Sequence, residues 1–213
     1  EGPSGLVRVG ATEGFGTLIL APHLAQLTRK HPHLSIDLLA LPRMLHLSRR
    51  EADIVISLER PTRGSVIVSR LSDYSLYLYG QREYLARKPL VATREDLRHH
   101  AFVSYVDDLL FTKELQFLDA LHQPERFAFR STSITAQYEA VRAGAGLAVL
   151  PAFLADRDPV LTRVLPQEGQ FTRTFWMSMP SESKHLARMQ VTWAFLRETV
   201  AAQQELLKPK TVR

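Results

Sequence analysis

The side chains best placed for chemistry in this sequence are short hydroxyls at points where strands end: Thr12, Ser57, Ser104, Ser131 and Ser133. A hydroxyl donates to a carboxylate or sulfonate without adding charge. Glu13, Phe15 and Tyr105 stand beside them. No catalytic set accompanies these residues. The chain has no cysteine, which removes disulfides, thiolate metal sites and thiol nucleophiles. Its eight histidines show no ligand spacing, and the adjacent His99 and His100 point different ways in any regular element, so neither metal nor cofactor is expected. Gly14-Phe15-Gly16 follows a strand and opens a helix, but a dinucleotide fingerprint needs a third glycine where Ile19 stands. Gly144-Ala145-Gly146 lies between a helix and a strand and reads as a helix C-cap. Phosphate loops, nucleophile elbows and zinc-protease motifs are absent from the sequence. Asp107-Asp108 follows a strand, yet no matched acid or base partner can be named, so the pair reads as turn caps. An enzyme is not expected.

The hydroxyls gain meaning from the elements that must carry them. Leu6–Thr12 reads as a strand, and Glu13–Thr17 as a turn opening a helix with Leu20, Leu24 and Leu27 on one face and Pro22 in its first turns. Leu34–Leu41 and Asp53–Ser57 are further strands, with a short basic helix between them from Arg43 to Arg50. The continuous apolar run before Ser57 suits a parallel strand covered on both faces. A second α/β series follows: strands at Val66–Val68 and Tyr74–Tyr79, a helix at Tyr84–Arg87, a capping box at Thr93, and a strand over Ala101–Val106. An amphipathic helix is expected over Thr112–His122, a strand over Phe127–Arg130, and a helix from the Ser131-Thr132-Ser133 caps to Ala143. Strands at Leu147–Leu150 and Phe175–Met179 come next. A long helix from Ser183 and a fraying basic tail, Lys208–Arg213, close the chain.

The fold class expected is α/β, two doubly wound lobes joined by two crossing strands near Ser72–Ser75 and Thr174–Met177. Lobe I takes residues 1–73 and 176–213, and lobe II residues 74–175. In open α/β sheets ligands sit beyond the carboxyl ends of the strands, where helix N-termini carry partial positive charge. That rule selects the residues named at the outset. Each also has a plainer reading: Thr12 and Ser133 as caps, Phe15 as core. Composition is that of an ordinary globular chain, 45% hydrophobic and 23% charged. The net charge of +5 is scattered, and the densest basic group, Arg43, His46, Arg49 and Arg50, runs straight into Glu51 and Asp53. A solvated surface rather than a nucleic-acid face is expected. No apolar run is long enough to span a membrane, and no secretion signal stands at Glu1–Gly5.

Several segments, in order and spacing, resemble one family. They are Gly5–Ala11, Leu20-Ala21-Pro22-His23-Leu24, His31-Pro32, Glu51–Ile56, Tyr79–Leu85 and, most specific, Val141–Pro151. Together they are similar to the effector-binding domain of LysR-type transcriptional regulators. The resemblance implies a fold like the type 2 periplasmic binding proteins, with a small-molecule effector in the inter-lobe cleft. It implies a cytoplasmic bacterial regulator working as a homodimer or homotetramer. Promoter DNA would be met only through a winged helix-turn-helix N-terminal to these residues, with no membrane partner. A solute-binding protein of a transport system is the alternative. The expected effector is a small organic acid held by Thr12, Ser104 and Ser133, with aromatic side chains flanking it. Where relatives often carry a small or polar residue, this chain has Glu13. That carboxylate would repel an anion unless it pairs with an arginine such as Arg60 or points to solvent; unpaired in the pocket, it favours a cationic or neutral ligand.

Overall fold

The computed structural model describes residues 2–211; Glu1 and the last two residues of the basic tail lie outside them. The chain divides into two compact units. The first holds the residues up to Ser72 together with Thr174–Gln204, and the second holds Asp73–Arg173 with the chain from Glu205 onward.

In the first unit β1 (Gly5–Ala11) leads into a helical run made of α1 (Glu13–Phe15), a π-helical turn (Gly16–Leu20) and α2 (Ala21–Lys30). Helix therefore starts at once after Thr12, and Pro22 stands at the second position of α2, in its first turn as expected. The π turn leads into it. Ala21 N–H donates back to Gly16 O, and the wider register just before Pro22 accommodates a ring that has no N–H to give. Leu20, Leu24 and Leu27 are buried, so this stripe is core.

β2 (Leu34–Ala40) and β3 (Ile54–Ser57) both pair parallel to β1, and β3 is the buried one of the two. The helix expected over Arg43–Arg50 does not form. Only a 3-10 turn, Leu47–Arg49, is present, and Glu51 organises the segment by accepting from the His46 N–H and from Arg43. This irregular path lets Leu45 pack onto β1 at Gly10, with Ala52 and Val55 completing a small core. A Cβ on Gly10 would lie 2.4 Å from Leu45 Cδ1, so the missing side chain is what admits the leucine.

The two strands expected at Val66–Val68 and Tyr74–Tyr79 are one, β4 (Val66–Gln81). No glycine or proline interrupts Ser69–Asp73, so nothing in the chain ends the strand. β4 passes from the first unit into the second. The second unit continues with α3 (Arg82–Ala86), a 3-10 helix (Arg94–His99) carrying the expected Thr93–Asp96 capping box, and β5 (Phe102–Ser104). β6 (Phe127–Arg130), parallel to β5, leads to α4 (Ile134–Arg142), β7 (Ala148–Pro151), α5 (Ala152–Ala155) and β8 (Leu161–Arg163). β7 and β8 both pair antiparallel with β4.

The helix expected over Thr112–His122 is also absent, replaced by 3-10 turns at Lys113–Leu115 and Leu118–Ala120. Arg173 is the reason. It donates to Glu114 O and Gln116 O, carbonyls that a helix would need for itself, and its guanidinium lies 4.8 Å from the ring centre of Phe117. Leu115, Phe117, Leu118 and Leu121 are all buried by this path. Then β9 (Gln170–Pro180) returns to the first unit and pairs antiparallel with β3. α6 (Ala187–Ala202) packs on β1 and touches α2, and α7 (Gln204–Leu207) follows.

The two faces of β1 are thus covered by different means, helix on the Val7 and Val9 face and Leu45 on the Gly10 face. Leu45→Ala should therefore cost about 2–4 kcal/mol in urea unfolding, the range for a buried leucine. A loss below about 0.5 kcal/mol, as for a surface position, would contradict this packing.

Candidate functional site

In the first unit the strand ends sit side by side. The β1–β3 ladder pairs Val9 with Ile54 and Gly10 with Val55, and continuing that register carries Thr12 level with Ser57. Ser57 in turn pairs with Trp176 of β9. Thr12, Ser57 and Trp176 thus form a row at one edge of the layer, all half-buried. Thr12 has the extended backbone of an N-cap, and its carbonyl accepts from Gly16 N–H, but its side chain makes no capping bond. Its hydroxyl is not consumed by helix initiation. Ser57 is committed, donating to Glu59 O at 2.8 Å.

Phe15 is fully buried and stacked on Phe175, with ring centres 4.1 Å apart. It secures the strand-to-helix turn from below and belongs to the core. Glu13, half-buried, occupies the first helical position, where a carboxylate is favoured by the helix dipole. The pairing of Glu13 with Arg60 is not formed. Arg60 lies over the ring of Trp176 instead, 5.5 Å from its centre.

In the second unit Ser104, Ser131 and Ser133 converge at the start of α4. Ser104 O accepts from Ser131 N–H at 3.0 Å, and Ser131 Oγ accepts from Ser133 N–H at 3.1 Å. Ser133 Oγ caps the helix through Ala136 N–H at 3.0 Å. Gln137, fully buried and missed in the sequence, donates its Nε2 to Ser131 O at 2.9 Å. Its place one turn into the capped helix was the signal available. Capping uses a hydroxyl lone pair, so in this role the Ser133 hydroxyl is an acceptor. Tyr105, half-buried, follows directly after β5. Phe102 is buried and stacked on His122, as core.

Two carboxylates that sequence reading did not single out hold the α4–β8 region together. Asp158 accepts from Tyr138 Oη at 2.5 Å, Arg142 Nε at 2.8 Å and Val160 N–H at 2.9 Å. Burial pushes its carboxyl up, and these donors outweigh that and hold it below the ordinary range. The Tyr138 phenol, by burial and the Asp158 charge, is pushed up to about 12. Asp156 accepts from Tyr79 Oη and, through both oxygens, from Arg163. Each carboxylate is held by a tyrosine and an arginine, the arrangement of a strut. Among the described residues no group of three or more histidines or carboxylates is arranged to hold a metal. No helix among them is long and apolar enough to cross a membrane.

His100 is buried behind Tyr84, its Nδ1 hydrogen-bonded to the phenol at 3.1 Å, whereas His99 is exposed. Burial lowers the His100 pKa. The Pro89 carbonyl and Asp96 oppose that fall, and Lys88 and His99 add to it. A folded pKa below the unfolded value means stability that is complete above about pH 6.5 and lost as pH falls through the folded pKa. Between pH 7 and pH 5 the wild type should lose more urea stability than His100→Gln; equal losses would refute the assignment. Separately, Ser133→Ala should cost about 1 kcal/mol through the lost cap, read in the same assay. No loss would show that the cap does not stabilise α4.

Comparison with known proteins places this arrangement. The sequence profile described as the LysR substrate binding domain matches residues 1–201. An uncharacterised HTH-type transcriptional regulator of Haemophilus influenzae is 24% identical over 174 residues, covering 78% of this chain and 59% of that protein. The Mau operon transcriptional activator of Paracoccus denitrificans is 29% identical over 155 residues, covering 73% of this chain and 51% of that protein. The chain thus spans little more than half the length of these two relatives. Among solved structures, the regulatory domain of CrgA, a LysR-type transcriptional regulator from Neisseria meningitidis, superposes with a TM-score of 0.79 at 22% identity, covering 93% of this chain and 100% of that one.

Proposed function

The chain belongs to the LysR substrate binding domain family, and on that premise we propose that the effector it senses is a small organic acid, recognised by the strand-end hydroxyls of Thr12, Ser104 and Ser133. The family makes the domain an effector-binding regulatory module of a transcription regulator and not an enzyme. Its fold is that of the type 2 periplasmic binding proteins. The observation that carries the ligand reading is the Thr12 hydroxyl, which stands at the end of β1 beside the first helical turn without capping it. At the head of α4 the Ser131 and Ser133 hydroxyls organise the loop, accepting from Ser133 N–H and Ala136 N–H. Helix N-termini favour negative charge, and hydroxyls add donors without adding charge. The location between two lobes that the resemblance implies is part of the same proposal. So are promoter binding through a winged helix-turn-helix outside these residues, action as a homodimer or homotetramer, and a cytoplasmic setting.

Thermal-shift screening against a panel of carboxylic acids, their amides and amines tests the ligand class. A ligand at about 100 times its Kd adds about 2.7 kcal/mol of stability, which shifts the melting temperature by several degrees. Acids are expected to stabilise, Ser133→Ala to lose that stabilisation, and Glu13→Gln to enhance it. Amines that stabilise the wild type and fail with Glu13→Gln would overturn the acid reading.

A further inference from the structure

An organic anion withdrawn from water needs a counter-charge, and the hydroxyls named above supply none. Five arginines are already committed: Arg8 to Asp37, Arg43 to Glu51, Arg142 to Asp158, Arg163 to Asp156 and Arg173 to Glu114. Arg60 differs. It is exposed on the loop directly beyond β3, and it forms no ion pair among the described residues. What holds it is the ring of Trp176, the cross-strand neighbour of Ser57. The loop itself is pinned by the bond from Ser57 Oγ to Glu59 O. The guanidinium is therefore anchored beside the row of Thr12, Ser57 and Trp176, all within the first unit.

We propose that Arg60, held on the face of Trp176, is the counter-charge for a carboxylate effector at the strand ends of the first unit, and so the residue that selects acids over their neutral isosteres. The inference rests on the organic-acid reading above and names the group that makes it electrostatically feasible. A guanidinium that spends its π face on an indole keeps its N–H edge for a carboxylate, and that edge matches two oxygens at once. Seating it on the ring also removes part of the rotamer freedom that an exposed arginine would lose on binding. Glu13 and Glu59 flank the same strand ends. With Arg60 on Trp176, an anion at this edge meets a positioned cation. Trp176 acts through Arg60 and is a positioning residue.

The experiment uses the whole chain and three acid–amide pairs: benzoate and benzamide, phenylacetate and phenylacetamide, succinate and succinamide. Binding is read by calorimetry and by tryptophan emission. The chain has two tryptophans, so Trp193→Phe leaves Trp176 as sole reporter. At least one acid is expected to bind with a change in Trp176 emission, and its amide at least tenfold more weakly. Arg60→Gln should weaken that acid about tenfold or more, the scale of a charged hydrogen bond, and leave the amide unchanged. Trp176→Phe should weaken the acid by a smaller factor. Because Arg60 is exposed, its variant should melt as the wild type does. An acid that binds wild type and Arg60→Gln equally, or that binds without altering Trp176 emission, overturns this inference and leaves the organic-acid reading standing. A panel in which no acid binds overturns both.

Discussion

The end of β1 is buried on both faces and so has to be covered twice, whereas Leu6 and Arg8 nearer its start are exposed. Val7 and Val9 on one face are fully buried, while Gly10 on the other has no side chain to present. α6 covers the first face and Leu45 the second. Much of the first unit follows from this double cover. The segment between β2 and β3 gives up helix so that Leu45 can reach Gly10, and Glu51 compensates its backbone with side-chain acceptors. Polar side chains are excluded along the covered length of the strand. Thr12, Ser57 and the Arg60–Trp176 pair gather at the edge where that cover ends, while Arg8 on the exposed stretch pairs with Asp37.

The second unit solves a different problem. Its strands pair antiparallel around β4, and its polar groups are mostly spent on each other. Asp156 joins Tyr79 of β4 to Arg163 of β8, and Asp158 binds Tyr138 and Arg142, both of α4, through charged hydrogen bonds. Ser131, Ser133 and Gln137 spend theirs on the start of α4. The contrast between matched and unmatched groups separates structure from recognition. A carboxylate held by a tyrosine and an arginine stabilises the fold, whereas Arg60 is held by the face of an indole.

Several expectations failed where a tertiary contact outbid a local pattern. Leu115, Leu118 and Leu121 have helical spacing, but Arg173, distant in sequence, takes the carbonyls of Glu114 and Gln116 and the helix cannot close. Pro22 stands in the first turn of α2 as expected, but a π turn built on Gly16 adds helix before it. In each case the hydrophobic positions were found correctly. The backbone path through them depended on one distant or neighbouring group that periodicity does not register.

The sequence by itself determined the α/β class, the parallel order of the first strands, the capping box at Thr93, the Ser133 cap of α4, and family membership. These follow from local chemistry: apolar runs, caps and turns act within a few residues, and their order along the chain is visible without coordinates. Tertiary structure decided which candidate residues stay uncommitted. Phe15 moved into the core because Phe175 lies beneath it, and Thr12 kept its hydroxyl because the helix after it starts without a side-chain cap. Arg60 turned to Trp176 rather than to Glu13 because β9 pairs with β3 antiparallel and sets the indole beside Ser57. That strand arrives from far along the chain, and no local pattern around Arg60 announces it.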